Sequence, residues 1–384
     1  MGVGADGAMI MSRGSINKYA MAIAAVLLLT FSMVACAPDE PYEFNENGST
    51  PPEETAAEEI TNETEKKFVQ ILDRYHASIP ALTPGAAASP EDQKDMVDRM
   101  ILLYDLKAPS QEIHELYEQG ITQLSQEQAD RFAAYAISGM RRNSFNDYVV
   151  LEQYLSEPGF LERFFEEAER VDHKYVELNR DPSAIRDPEV KKIIEEAGRQ
   201  GYFIASAEGM LYYLVDFTVF AKYREYHTEP MASLIETLAI DNLDPMASDA
   251  ALIISREAIA ARAYNMEKML ADYKGTTYEK YLAIRFRDHM RILFFGTDNT
   301  PAFSYDTNLM NDATAELLGR IATMEDSFMA RLTGEYMTLI ESNGGKMDDA
   351  VRLEAAAILE AIDVKYDLTE QAMDDYGRWL SGEL

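Results

Sequence analysis

Residues 308–342 read NLMNDATAELLGRIATMEDSFMARLTGEYMTLIES, and the apolar positions in this run decide the fold class. Leu317, Ile321, Met324, Phe328, Leu332 and Leu339 recur at helical steps, which predicts one apolar stripe along a helix. Asn343-Gly344-Gly345 then stops it, because glycine accepts the left-handed conformation at a helix end. Working toward the C-terminus, Met347, Val351, Ile358 and Ile362 form the next stripe, and Leu368, Ala372, Tyr376 and Leu380 the one after. Toward the N-terminus, Ser89-Pro90-Glu91 and Asp187-Pro188-Glu189 each set a capping side chain before a proline at the first helical position. Ser125-x-x-Gln128 and Asp367-x-x-Glu370 have the spacing of capping boxes. Alternating runs joined by hairpin turns do not stand out, so the predicted class is all-α. About a dozen helices are expected, stacked as helical hairpins in an irregular solenoid or bundle. They occupy residues 56–384, with a subdivision near 180–188 where Asn179-Arg180-Asp181-Pro182 interrupts the pattern.

The stretch Gly201–Tyr226 carries Tyr202, Phe203, Tyr212, Tyr213, Phe217, Phe220, Tyr223 and Tyr226, and reads as a central helix that is apolar nearly all round. On such a helix Glu208, Tyr212 and Asp216 would share a face at i, i+4 and i+8. A carboxylate there must be paired or bonded to be tolerated. Arg256 and Arg262 are candidate partners, with Arg285 and Arg287 further on. Glu208, Tyr212, Asp216, Arg256 and Arg262 therefore form the candidate ligand pocket. Its competing reading is an internal salt-bridge network that fixes helix packing. Gly296-Thr297-Asp298-Asn299-Thr300-Pro301 is a polar break that reads either as a binding loop or as a capped turn.

Catalytic signatures are sparse. His114-Glu115-Leu116-Tyr117-Glu118 begins like a zinc-protease motif but ends in Glu, so the second imidazole is missing. His173 and Glu177 at i, i+4 make half a site. No serine-hydrolase elbow or phosphate-binding loop is present. No cofactor and no metal are expected.

The chain has 67 Asp plus Glu against 35 Lys plus Arg, a net charge of -32. That balance opposes nucleic acid, whose affinity depends on cations displacing counterions from phosphate. The expected partners are an envelope protein or a small polar or cationic ligand.

Residues 11–36 give the chain its address. Arg13 and Lys18 precede an apolar run from Tyr19 to Ala35, a secretory leader too short to span a bilayer comfortably. Ser32-Met33-Val34-Ala35-Cys36 resembles the lipobox of bacterial lipoproteins cleaved by signal peptidase II, with Met33 where that family usually carries Leu. The resemblance covers the leader alone. It implies cleavage between Ala35 and Cys36 and a lipid on Cys36, the only cysteine in the chain. Residues 1–35 are thus the signal peptide and 36–55 an acidic tether. Between Pro38 and Glu65 there are ten acids and no base, a composition that cannot bury enough apolar area to order itself. Ala37, rather than Asp, after the cysteine suits outer-membrane sorting in a diderm host. The expectation is a lipid-anchored extracytoplasmic lipoprotein with a non-catalytic helical binding or scaffold domain. The alternative is an extracytoplasmic enzyme using carboxylates of the 208–216 and 256–267 helices.

Overall fold

A computed structural model describes residues 88–171, 175–207, 209–248 and 250–381. Cys36 with its leader and tether, the helix expected from residue 56, His173 and Glu208 all lie outside the described residues. Ser89 caps the first helix, α1 (Pro90–Asp105), by accepting from the Asp92 amide at 3.2 Å. The second helix, α2 (Ser110–Gly120), and the long α3 (Gln126–Leu155) pack with α1 around Met100, Ile113, Tyr117, Phe132, Ile137 and Met140. Ser125 precedes α3 without a side-chain cap. Its amide instead donates to the Gln93 side chain at 2.9 Å, so a tertiary contact replaces the expected box. Three shorter helices follow, α4 (Phe160–Glu169), α5 (Tyr175–Arg180) and α6 (Pro188–Arg199). Asp187 caps α6, accepting from the amides of Glu189 and Val190, both at 2.9 Å. The hydrophobic core is continuous across residues 180–188.

The central helix expected over Gly201–Tyr226 is not formed. Its first half is an antiparallel hairpin, β1 (Tyr202–Ala207) and β2 (Met210–Val215), with Tyr202 opposite Val215 and Ala207 opposite Met210. Gly209 takes φ +74° in the turn, and Gly201 takes φ +74° just before β1. A Cβ at Gly201 would meet only the flexible end of Met140 at 2.4 Å, so it is the positive φ that calls for glycine there. The hairpin is clamped on both sides: β1 lies against α5 and α6, and β2 against α3. Asn179 reads the β1 backbone like a neighbouring strand, donating to Ile204 O at 2.9 Å and accepting from Ile204 N at 2.8 Å.

The second half of the stretch is a short helix, α7 (Thr218–Ala221), and a 3-10 turn at Arg224–Tyr226. Beyond it, α8 (Glu229–Leu243) is buried over most of its length. Two helical hairpins follow, α9 (Arg256–Asp272) with α10 (Thr277–Phe295), then α11 (Asp312–Ala322) with α12 (Phe328–Ser342). The run 308–342 is therefore two helices rather than one. The chain reverses at Thr323–Ser327, where Asp326 takes φ +53° and Ser327 caps α12 by accepting from Ala330 N. Leu317, Ile321 and Leu332 still face a common core, because the two helices pack on each other. The polar break at 296–301 forms a tiny hairpin, β5 (Gly296–Thr297) with β6 (Thr300–Pro301), beside a matching pair, β3 (Ala247–Ser248) and β4 (Ala251–Leu252).

Two helices complete the fold, α13 (Asp349–Lys365) and α14 (Glu370–Ser381). The cap of α14 is Thr369, which accepts from Ala372 N at 3.1 Å; Asp367 pairs instead with Lys280 at 3.0 Å. The last helix folds back onto α3 and α10, with Tyr376 against Tyr281 at 5.1 Å between ring centroids. The class is all-α, carrying a few short two-stranded ribbons.

Candidate functional site

Of the predicted pocket, the described residues Tyr212, Asp216, Arg256 and Arg262 do not converge. Tyr212 sits on β2, half-buried, not one helical turn from its expected neighbours. Asp216 ends the hairpin and accepts from the amide (2.9 Å) and hydroxyl (2.5 Å) of Thr218, closing the turn into α7. Burial pushes its carboxyl above the ordinary range, and those two hydrogen bonds pull part of the way back. Arg256 donates to the backbone carbonyls of Thr300 (2.8 Å) and Ile292 (3.4 Å), tying α9 to the β5–β6 ribbon. Only Arg262 meets acids, and they are neither Glu208 nor Asp216. The i, i+4, i+8 spacing assumed a helix, and a strand sends those positions elsewhere.

What the structure does contain is an ion network at the seam between α8, α9 and α10. Asp241 on α8 accepts from Arg262 of α9 at 3.2 Å and from Arg285 of α10. Arg262 also donates to the Asp244 carboxylate at 2.8 Å. Burial alone would raise the Asp241 carboxyl, but Arg285, His289 and Arg262 outweigh it and hold the group below the usual carboxylate range. The same pairing drives Arg285 upward despite its burial. His289, fully buried beside them, donates from Nδ1 to Arg285 O at 2.7 Å. Burial lowers its imidazole to about 4, with Arg285 adding to the effect and Asp241 opposing it, so the ring is neutral at pH 7. Asp241 was missed as a candidate. Its signal was visible as a lone acid ending the apolar run Leu238-Ala239-Ile240.

A second buried chain of polar groups joins three elements. His227 donates from Nδ1 to Asp130 at 3.1 Å and accepts at Nε2 from the Tyr117 hydroxyl at 3.0 Å. Such a relay resembles a catalytic triad only on paper, since Tyr117 and His227 are sealed and Tyr117 is boxed in by Phe132, Phe220 and Tyr223. It couples α2, α3 and the start of α8. His114 donates from Nδ1 to Arg199 O at 3.2 Å and lies 3.6 Å from Glu118, a packing contact between α2 and the end of α6.

A shallow open groove of about 570 Å³ lies between α12 and α13. Phe328, Ala357, Ala361 and Val364 give it an apolar floor, and Arg331, Lys365 and Glu360 stand on its rim. Lys365 Nζ lies 3.9 Å from the Phe328 ring centroid, and the Arg331 guanidinium 4.9 Å from it, so one ring is held by two cations. Burial lowers the Lys365 amine, and Glu267 partly offsets this. Among the described residues no carboxylate comes within 4 Å of that amine. Phe328 itself is positioned by Glu267 of α9, which accepts from the amides of Phe328 and Met329 (3.1 Å) and from the Ser327 hydroxyl (2.8 Å). That carboxylate satisfies donors that a helix start leaves open, and complements the positive end of α12. Read from sequence, Phe328 counted as core and Lys365 went unremarked. Their pairing depends on α12 and α13 being neighbours, which spacing does not encode.

Among the described residues, no three His, Cys, Asp or Glu groups gather as a metal site would require, and no helix is long and apolar enough to cross a membrane. No protein-family model, no curated protein and no solved structure matches this chain.

Proposed function

We propose that this chain is a lipid-anchored extracytoplasmic lipoprotein whose acidic helical body is a binding module, not a catalyst, with the α12–α13 groove as its docking site. The observation that carries the reading is the make-up of that groove: an apolar floor, an aromatic ring and two rim cations, in a chain of net charge -32. Such a lining suits an apolar segment that also carries acid, which favours an envelope protein over a small cationic ligand. Two of the carboxylates the enzyme reading would draw on serve as caps, Asp216 of a turn and Glu267 of a helix, which favours the binding reading.

The anchor and the groove are tested separately. Cys36→Ala is expected to abolish labelling by a fatty-acid probe and to leave the precursor uncut or the protein shed from membranes. Unchanged labelling would remove the anchor from the proposal. A photo-crosslinking residue placed at Val364 in producing cells is expected to give a discrete adduct, whereas the same residue at exposed Leu102, on α1, gives none. Equal adducts, or none, at both positions would overturn the groove as a docking site.

A further inference from the structure

The α13 helix carries an exposed face that nothing in the chain covers among the described residues. Leu353 is 74% exposed and Val364 82%, and Ala357 and Ala361 lie on the same face, with Glu354 and Lys365 along one flank. These residues form a mirror pattern. Leu353 and Val364, Ala357 and Ala361, and Glu354 and Lys365 have midpoints at 358.5, 359 and 359.5, within half a residue of position 359. An antiparallel copy of α13 whose two-fold axis passes near that position sets each of them within about one residue of its complement. Leu353 then opposes Val364 of the other copy, twice. The two alanines meet at the centre and let the backbones approach. Lys365 and Glu354 each have no ion partner within 4 Å among the described residues, and Lys365 of one copy reaches Glu354 of the other. Glu360, one residue from that axis, comes near its own copy across it, a like-charge contact that salt screening relieves.

We infer that the occupant of the groove is α13 of a second copy of this chain, packed antiparallel in an isologous two-fold contact. The inference rests on the groove being a docking site and names what docks there. An isologous patch must be self-complementary, and few helix faces satisfy that in shape and in charge together. The high net charge sets a condition on it: two copies at -32 repel, so the contact strengthens as salt screens the bulk charge, whereas a lone rim ion pair would weaken.

The test uses the full chain in intact cells, with two differently tagged copies and a short bis-maleimide reagent. One copy carries Leu353→Cys and the other Val364→Cys. A mixed-tag crosslinked dimer is expected, and none when both copies carry Ala356→Cys, an exposed position off the seam. Lys365→Glu or Glu354→Lys alone is expected to cut the dimer yield about fivefold, the order of an exposed ion pair replaced by like charges. The double variant with both changes restores the yield, which separates a lost contact from a lost fold. No 353–364 dimer, a dimer equally strong at 356, or failure of the charge swap to rescue overturns the inference. A Val364 photo-adduct that contains a different protein sinks this inference and leaves the docking reading standing.

Discussion

Replacing Asp241 with Asn should be among the most damaging single changes in the molecule. The carboxylate holds Arg262 and Arg285 at once, in a seam where all three side chains are less than a fifth exposed. Asn keeps the shape and one acceptor but leaves two guanidiniums without their shared counter-charge. Arg262 retains Asp244; Arg285 is left with Asp288 at 4.0 Å. Breaking a buried pair in this way costs roughly 3–5 kcal/mol, because the desolvation of the surviving cation is no longer offset. With a urea m-value near ~3 kcal/mol/M for a chain of this size, the unfolding midpoint should fall by about 1–1.7 M at unchanged m. Fluorescence or circular dichroism in urea reads this directly. The companion experiment is Asp241→Leu combined with Arg285→Met, which removes charge on both sides and should recover most of the loss. An Asn variant within about 1 kcal/mol of the parent, or a double variant no better than the single, would refute the argument that this seam is held by charge compensation.

Two further outcomes follow from the same geometry. His289 has an imidazole lowered from 6.5 to about 4, so the folded state resists a proton that the unfolded state accepts. Stability is therefore complete above pH 6.5 and declines as pH falls toward 4, by about 3 kcal/mol. His289→Asn, which retains a donor for Arg285 O, should flatten that decline in urea titrations at stepped pH; the same slope in both proteins would count against it. Glu267→Ala should cost about 1–2 kcal/mol, the order of a lost helix cap. It should also speed hydrogen exchange at the first turn of α12, and a first turn that exchanges at parental rate would show that Glu267 does not hold Phe328.

The all-α class was legible because stripes such as Leu317, Ile321 and Leu332 keep a helical period wherever one helix face is buried. The β1–β2 hairpin was not, for a physical reason. Alternation reveals a strand only when one of its faces meets water, and Tyr202, Phe203, Ile204 and Ala205 are all buried between α5, α6 and β2. A strand covered on both sides spells a continuous apolar run, as a buried helix does. The usable clue was Glu208-Gly209, a turn dipeptide in the middle of the supposed helix. The face expected for Glu208, Tyr212 and Asp216 depended on that helix, and Tyr212 lies instead on β2. Arg262 is paired within the core, but with Asp241 of α8 and Asp244 just beyond it rather than with the acids expected, a partnership that only the tertiary fold could supply.

The return of α14 onto α3 and α10 has a bearing on how such a chain is made. Tyr376 comes to lie close to Arg141 and Arg285, so groups from distant parts of the sequence complete one buried environment. The part of α3 that meets α14 stays uncovered until α14 has emerged, and contacts of that span are slow to form. If the chain is exported as proposed, the helices ahead of α14 would pass outward before that closure is possible, and the last amphipathic segment would complete the structure on the far side.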